Sequence, residues 1–256
     1  EYQQNNYIKK RKLSASRLQT FYDCPRRYYF RYIDEMEINI LPETSVRPAF
    51  LGDLEHAIIG TYLRSNKNWD EKVFANIVNK TFDVFKKKEG LNLAYIHEKK
   101  TYLEIYNYSK NTVTNLLSLY QLDSSLEMKF EDEINGQDFQ GSVDLFVTSS
   151  FGMGVFDFKR SSAGIPTKKE FLEFQKIQLW FYLKNLRFEK RDYSFTGYVN
   201  LSELDKSLIT VFNQEVKDDF ESINLFNGAK IHLLESNIEL MLNDYEKHES
   251  EIIKSL

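Results

Sequence analysis

The chain has 256 residues, a net charge of −4 and one cysteine, Cys24, which excludes an internal disulfide framework and any all-cysteine metal cluster built within it. That length holds an ample core as one large domain or two small ones; with four prolines, ten glycines and no Gly/Ser- or Pro-rich linker, a single domain over 1–256 is expected. No apolar run is long enough for a bilayer and the first residues have no signal-peptide core, so a soluble, cytoplasmic protein is expected.

Charge is unevenly spread. Lys9, Lys10, Arg11, Lys12, Arg17, Arg26, Arg27 and Arg31 crowd the start, whereas Glu235, Glu239, Asp244, Glu246, Glu249 and Glu251 crowd the end. The mild negative total argues against a nucleic-acid partner. The basic end can still hold phosphates, and a solvated charged face explains it equally well.

From Leu13 to Ile33, Ser16 and Gln19 have capping-box spacing, and Pro25 breaks the pattern to start a second short helix through Arg31. Arginines and tyrosines alternate there. They suit a nucleic-acid strand, with arginine on phosphate and tyrosine on base, and they suit an aromatic seam under arginine stems. Phe50 to Leu63 reads as a helix in which Gly52, His56 and Gly60 recur every four residues, leaving space beside the imidazole. Two helix-interior glycines each cost about 1 kcal/mol relative to alanine, so close packing or a close ligand is expected there. A lone helical histidine is more often structural than a ligand.

Helices are expected over about 70–88 and 97–120, followed by a strand over 126–134. Two further strands, Gln140 to Val147 and Val155 to Lys159, flank Ser149 to Gly154, which has the composition of a hairpin turn. Alternation puts Asp157 and Lys159 on one face and Phe156 and Phe158 on the other. On the partner strand Val143, Leu145 and Val147 share a face, leaving Asp144 opposite and able to converge with Asp157. A helix over 169–186 puts Gln178 and Tyr182 on one face; a strand near 194–201, another over 207–213 and an acidic amphipathic helix over 237–253 complete the chain. Gln178 there is either a residue that orients a water or phosphate, or a polar residue at the edge of a buried face.

These residues resemble the PD-(D/E)XK nucleases, and specifically the RecB-like branch that includes the nuclease domains of AddB-type helicase-nucleases and CRISPR-associated RecB-like exonucleases. The matching segments are Leu13-Ser-Ala-Ser16-Arg17-Leu18 with Tyr22, Cys24 and Pro25; Gly52-x-x-x-His56; Gly141-x-x-Asp144; Asp157-Phe158-Lys159; and Gln178-x-x-x-Tyr182, in the family's order. The resemblance covers roughly 13–201. It implies a restriction-endonuclease-like α/β core: a helix, a three-stranded antiparallel meander, a helix and a further strand in a mixed sheet, with extra N-terminal helices and a C-terminal helix. The helical part would be 1–122, the catalytic core 123–202, and the remainder 203–256. Many relatives carry an iron-sulfur cluster on Cys24's counterpart and three later cysteines, which are missing here. The resemblance therefore implies a cluster-free member in which another clamp, packing of the last helix, ties the ends together.

It further implies a metal-dependent deoxyribonuclease, an exonuclease on single strands or duplex ends in recombinational DNA repair, and a piece of a longer helicase-nuclease, since residue 1 is not methionine. Asp144 and Asp157 are hard oxygen ligands for Mg²⁺ or Mn²⁺, and by resemblance His56 and the main-chain carbonyl of Phe158 complete the set. Imidazole tilts the preference toward Mn²⁺. Lys159 is the expected catalytic lysine, supported by Gln178 and Tyr182, with Glu127 a secondary candidate. Ser16, Arg17, Tyr22, Arg26 and Arg27 are the expected DNA contacts. The alternatives are a CRISPR-associated exonuclease, a non-catalytic DNA-binding or assembly module that keeps the fold, and an α/β protein whose Asp-Lys pair is a surface ion pair.

Overall fold

The computed structural model describes residues 12–36, 48–66, 68–88, 95–119, 124–134, 137–149, 152–185, 193–224, 226 and 228–256. Lys9, Lys10, Arg11, the centre of the 149–154 turn and Tyr120 lie outside these residues, as does the side chain of Glu127 on its strand.

Leu13 is extended. Its N–H donates to the Asp138 carbonyl at 2.8 Å and its own carbonyl accepts from Gln140 N–H at 2.8 Å, a parallel bridge opposite Phe139. That tie delays the first helix, α1 (Ala15–Asp23), and makes Ser14 its cap: Ser14 Oγ accepts from Arg17 N–H at 3.4 Å. The expected Ser16 and Gln19 box is therefore displaced, Ser16 sits inside the helix, and Gln19 is released for another use. Pro25 opens α2 (Pro25–Tyr28), which runs into a π-turn over Tyr29–Ile33.

Three longer helices follow, α3 (Pro48–Ser65), α4 (Glu71–Lys88) and α5 (Tyr95–Leu119). The carboxylate of Asp70 caps α4 by accepting from the N–H groups of Lys72 and Val73. Then come β1 (Ser124–Ile134), β2 (Gln137–Ser149) and β3 (Gly152–Lys159), an antiparallel meander. β4 (Tyr193–Asn200) lies parallel to β3, β5 (Leu208–Val211) antiparallel to β4, and β6 (Lys230–Leu233) parallel to β5, giving a six-stranded mixed sheet in sequence order.

The expected helix over 169–186 is two helices, α6 (Lys168–Leu172) and α7 (Gln178–Asn185). Phe174 between them has φ of 56°, a backbone conformation that a bulky residue adopts only when its surroundings hold it. Its ring is gripped by Trp180, Tyr245 and His248, with centroids 5.3 to 5.8 Å away. Burial of that ring outweighs helical continuity, which periodicity alone cannot reveal. The sequence reading also missed α8 (Gln214–Ser222), capped by Asn213, and the short strand β6. The last helix, expected over 237–253, is α9 (Ile238–Ser255), capped by the Asn237 side chain, which accepts from Glu239 N–H.

Both faces of the sheet are buried. Leu145, Val147, Phe156 and Phe158 pack under Leu54, Ile58, Phe74 and Ile105 of the α3, α4 and α5 layer. Phe146, Val155 and Tyr198 pack under Leu18, Trp180, Phe181 and Tyr245 of α1, α7 and α9. The alternation expected for β3 thus places Phe156 and Phe158 on one layer's side. The last helix does pack on α1 and α7. Buried Glu249 takes the Lys184 ammonium and accepts from Tyr245 Oη at 3.0 Å. Among the described residues no helix is long and apolar enough to cross a membrane.

Candidate active site

The β2–β3 ladder closes at Leu145 opposite Phe156, and the next residue on each strand toward the open end is an aspartate, Asp144 and Asp157. Where the ladder ends, a side chain replaces the backbone acceptor: Asp144 Oδ2 accepts from Phe158 N–H at 2.7 Å. Gly141, three residues earlier, is required by packing, since a Cβ there would stand 2.3 Å from the Phe130 ring.

Asp157 is 1% exposed. Its Oδ1 accepts from Gln178 Nε2 at 2.5 Å, and Lys159 Nζ stands 2.5 Å from Oδ2 as an ion pair, although no hydrogen bond of good geometry reaches that oxygen. Gln178 Oε1 accepts from Lys159 Nζ at 2.9 Å, and its Nε2 lies 2.9 Å from Tyr182 Oη, so one amide joins the carboxylate, the ammonium and the phenol. As the first residue of α7, Gln178 can turn toward β3 because the helix is broken before it. The Lys159 ammonium also lies 5.8 Å from the Tyr198 ring centre.

His56, from α3, approaches from the other layer. Its Nδ1 is 3.7 Å from Asp144 Oδ1, and its ring meets the Phe158 ring edge-on at 5.6 Å. Close packing does not account for Gly52, because a Cβ there would meet nothing within 4 Å. The turn of α3 before His56 is open.

Burial is the largest influence on each shifted group here. It pushes Asp157 from 3.8 up to about 6, opposed by Lys159 and reinforced by Asp144. It lowers His56, opposed by Asp157 and assisted by Lys159, which favours a neutral imidazole able to ligate. Tyr182 is raised well above the ordinary phenol value by burial and then by Asp157, so it stays protonated.

The sequence reading did not single out Glu55 or Arg160, which flank His56 and Lys159. Glu55 is wholly buried, accepts from Arg160 Nη1 at 2.6 Å, and is raised to about 7 by burial against the pull of that arginine. Arg160 also pairs with Glu104 at 3.5 Å and lies over the Tyr108 ring. The pair ties the helix bearing His56 to the strand bearing Asp157.

The expected DNA contacts lie elsewhere, on α1 and α2. Ser16 is exposed, with Oγ 3.1 Å from Ser14 Oγ, and Arg17 donates Nη1 to the Lys12 carbonyl at 2.7 Å beneath the Tyr32 ring. Arg26 lies over Phe30, Arg27 pairs with Asp23 at 3.5 Å, and Tyr22 is exposed with its edge on His248. Arg17 and Arg26 cover aromatic rings, and Tyr22 and Tyr29 remain open to solvent.

Residues 12–244 match the PD-(D/E)XK nuclease superfamily. The chain belongs to that superfamily. The meander with Asp144, Asp157 and Lys159 at its end is consistent with its restriction-endonuclease-like fold, and PD-(D/E)XK proteins are typically metal-dependent phosphodiesterases. No curated protein matches the chain. Protein VC1899 from Vibrio cholerae is similar over 95% of this chain at 11% identity and a TM-score of 0.27. That similarity spans 58% of the Vibrio protein and carries no weight for function.

A divalent cation, general in PD-(D/E)XK nucleases, fits the donor set in chemistry. Among the described residues no three His, Cys, Asp or Glu groups stand close enough to form a ready cluster, because Asp157 is turned toward Lys159 and Gln178. The Asp144 carboxylate and the buried Asp157 oxygen without a proper hydrogen bond are nonetheless the groups a hard cation takes, and the His56 imidazole beside Asp144 suits a borderline one such as Mn²⁺.

Proposed function

We propose that this chain is a divalent-metal-dependent deoxyribonuclease, an exonuclease on single strands or duplex ends that serves recombinational DNA repair. The observation that carries the reading is the hydrogen-bonded chain Tyr182, Gln178, Lys159 and Asp157 set beside His56 and Asp144. A buried carboxylate beside a lysine held by a neutral amide suits phosphodiester hydrolysis, which needs positive charge at the phosphate and an oriented water.

His56, Asp144, Asp157 and the Phe158 carbonyl would hold Mg²⁺ or Mn²⁺. When bound, the cation supplies Lewis-acid neutralisation of the scissile phosphate. Lys159 orients the attacking water and neutralises charge that grows on the phosphate oxygens. Gln178 fixes the Lys159 amine, and Tyr182 fixes Gln178. On α1 and α2, Arg17, Arg26 and Arg27 take backbone phosphates, Ser16 donates to one, and Tyr22 stacks on a base. In this reading 1–256 form one nuclease domain of a cytoplasmic helicase-nuclease and use no iron-sulfur cluster.

The engagement of both Asp157 oxygens, by Gln178 and by Lys159, favours a second reading, a DNA-binding module that keeps the fold without cleaving. Incubation of labelled single-stranded DNA with Mg²⁺ or Mn²⁺ decides between them. The nuclease reading expects cleavage that disappears in Lys159→Ala and Asp157→Ala. Binding without cleavage, or cleavage unchanged in both variants, overturns it.

A further inference from the structure

Gln19, freed from capping its own helix, reaches from α1 to the turn that joins α6 to α7. Its Nε2 donates to the Gln175 carbonyl at 3.0 Å and its Oε1 accepts from Ile177 N–H at 2.9 Å. Both partners are main-chain groups of the segment immediately before Gln178. Ile177 is the cap position of α7, since its carbonyl takes the first helical bond, from Phe181 N–H at 2.8 Å. A residue 158 positions earlier in sequence thus satisfies an amide that a helix start normally leaves without a partner. The same turn carries Phe174 at φ of 56°, a conformation that needs outside support. Gln19 is itself steadied, donating to Asp23 Oδ1 at 2.8 Å.

The consequence lies one residue on. Gln178 holds Lys159 and Asp157, and its side chain can do so only while the start of α7 stays in register with the end of β3. We propose that Gln19 is a positioning residue for the reaction: it fixes the first turn of α7, so that Gln178 keeps the Lys159 amine in place, and it links that amine to α1. The inference rests on the nuclease reading above, and α1 is the helix that reading assigns to DNA. A strand seated on α1 therefore acts on the same rigid path that holds the lysine.

Two variants separate positioning from bulk stability. Gln19→Leu keeps the volume and removes all three hydrogen bonds; Gln19→Glu, made together with Asp23→Asn so that its second oxygen does not meet a carboxylate, keeps the acceptor for Ile177 N–H. In Gln19→Leu we expect faster amide exchange at Ile177 and kcat lower by about 10- to 100-fold, because small misplacements of reacting groups cost rate on that scale. KM and metal-free affinity for a single-stranded oligonucleotide should stay within about twofold, since no DNA-contacting group has changed. Gln19→Glu with Asp23→Asn should recover a large part of the lost kcat. Acylation of lysines by a water-soluble reagent reads the same hold without turnover: Lys159 should label faster in Gln19→Leu than in the unmodified chain. Raised exchange at Ile177 with kcat and Lys159 labelling unchanged overturns the proposal, as does a loss confined to DNA affinity. If the unmodified chain cleaves no DNA, the nuclease reading fails, and the Lys159 labelling still decides the role of Gln19.

Discussion

Replacing Asp157 by asparagine should stabilise the metal-free protein while abolishing its chemistry. The carboxyl is 1% exposed and its folded-state pKa is raised from 3.8 to about 6, chiefly by burial. That shift of about two units means the ionised group at neutral pH costs roughly 3 kcal/mol relative to the unfolded chain. The sign follows from the folded state holding the proton more tightly: the stability due to this group is complete below about pH 4 and is lost as pH rises to about 6. Asparagine is nearly isosteric, and its Oδ1 can still accept from Gln178 Nε2. Lys159 loses its anionic partner, which offsets part of the gain. A net stabilisation of about 1–2 kcal/mol remains, or roughly 2–8 °C for a chain of this size. Thermal melts in chelator across mildly acid to neutral pH read both the shift and its pH dependence. Added Mg²⁺ should raise the unmodified chain by about 1.4 kcal/mol at ten times the dissociation constant and leave the variant unmoved. A variant that melts below the unmodified chain at neutral pH in chelator, with the same pH slope, would show that burial of this carboxylate does not cost stability.

Arg160→Ala strands the wholly buried Glu55 carboxylate and should cost about 3–5 kcal/mol in denaturant melts, whereas Glu55→Gln, which still accepts from the arginine, should cost much less. Lys184→Met leaves Glu249, 2% exposed, with a hydrogen bond from the Tyr245 hydroxyl in place of an ion pair; the resulting loss should be largest at neutral pH and shrink in acid, because burial already raises the Glu249 pKa. Tyr182→Phe removes one contact to Gln178 and should slow cleavage by less than about tenfold, with unchanged DNA affinity in a binding titration.

Much of the site was legible because strand alternation is a strong constraint. Asp157 and Lys159 on one face and Phe156 and Phe158 on the other follow from a two-residue period, and the structure has that division. Gln178 and Tyr182 were placed together by helical spacing, and their side chains meet. The break before Gln178 was not legible, since it depends on Phe174 being gripped by Tyr245 and His248, residues about seventy positions later. The displaced cap at Ser14 has the same kind of origin: Leu13 is held by a strand that lies far along the chain. Glu55 and Arg160 escaped notice because each reads as an ordinary surface charge until α3 and β3 are brought together. Local pattern thus gave which residues face which way, and long-range packing decided where helices start and which charges are buried.

The most direct test of the account is anomalous scattering from crystals soaked in Mn²⁺. One peak is expected, bounded by His56, Asp144, Asp157 and the Phe158 carbonyl, with Asp157 turned from Lys159 toward the ion. Peaks confined to other acidic surfaces, with Asp157 still paired to Lys159 and Gln178, would contradict it.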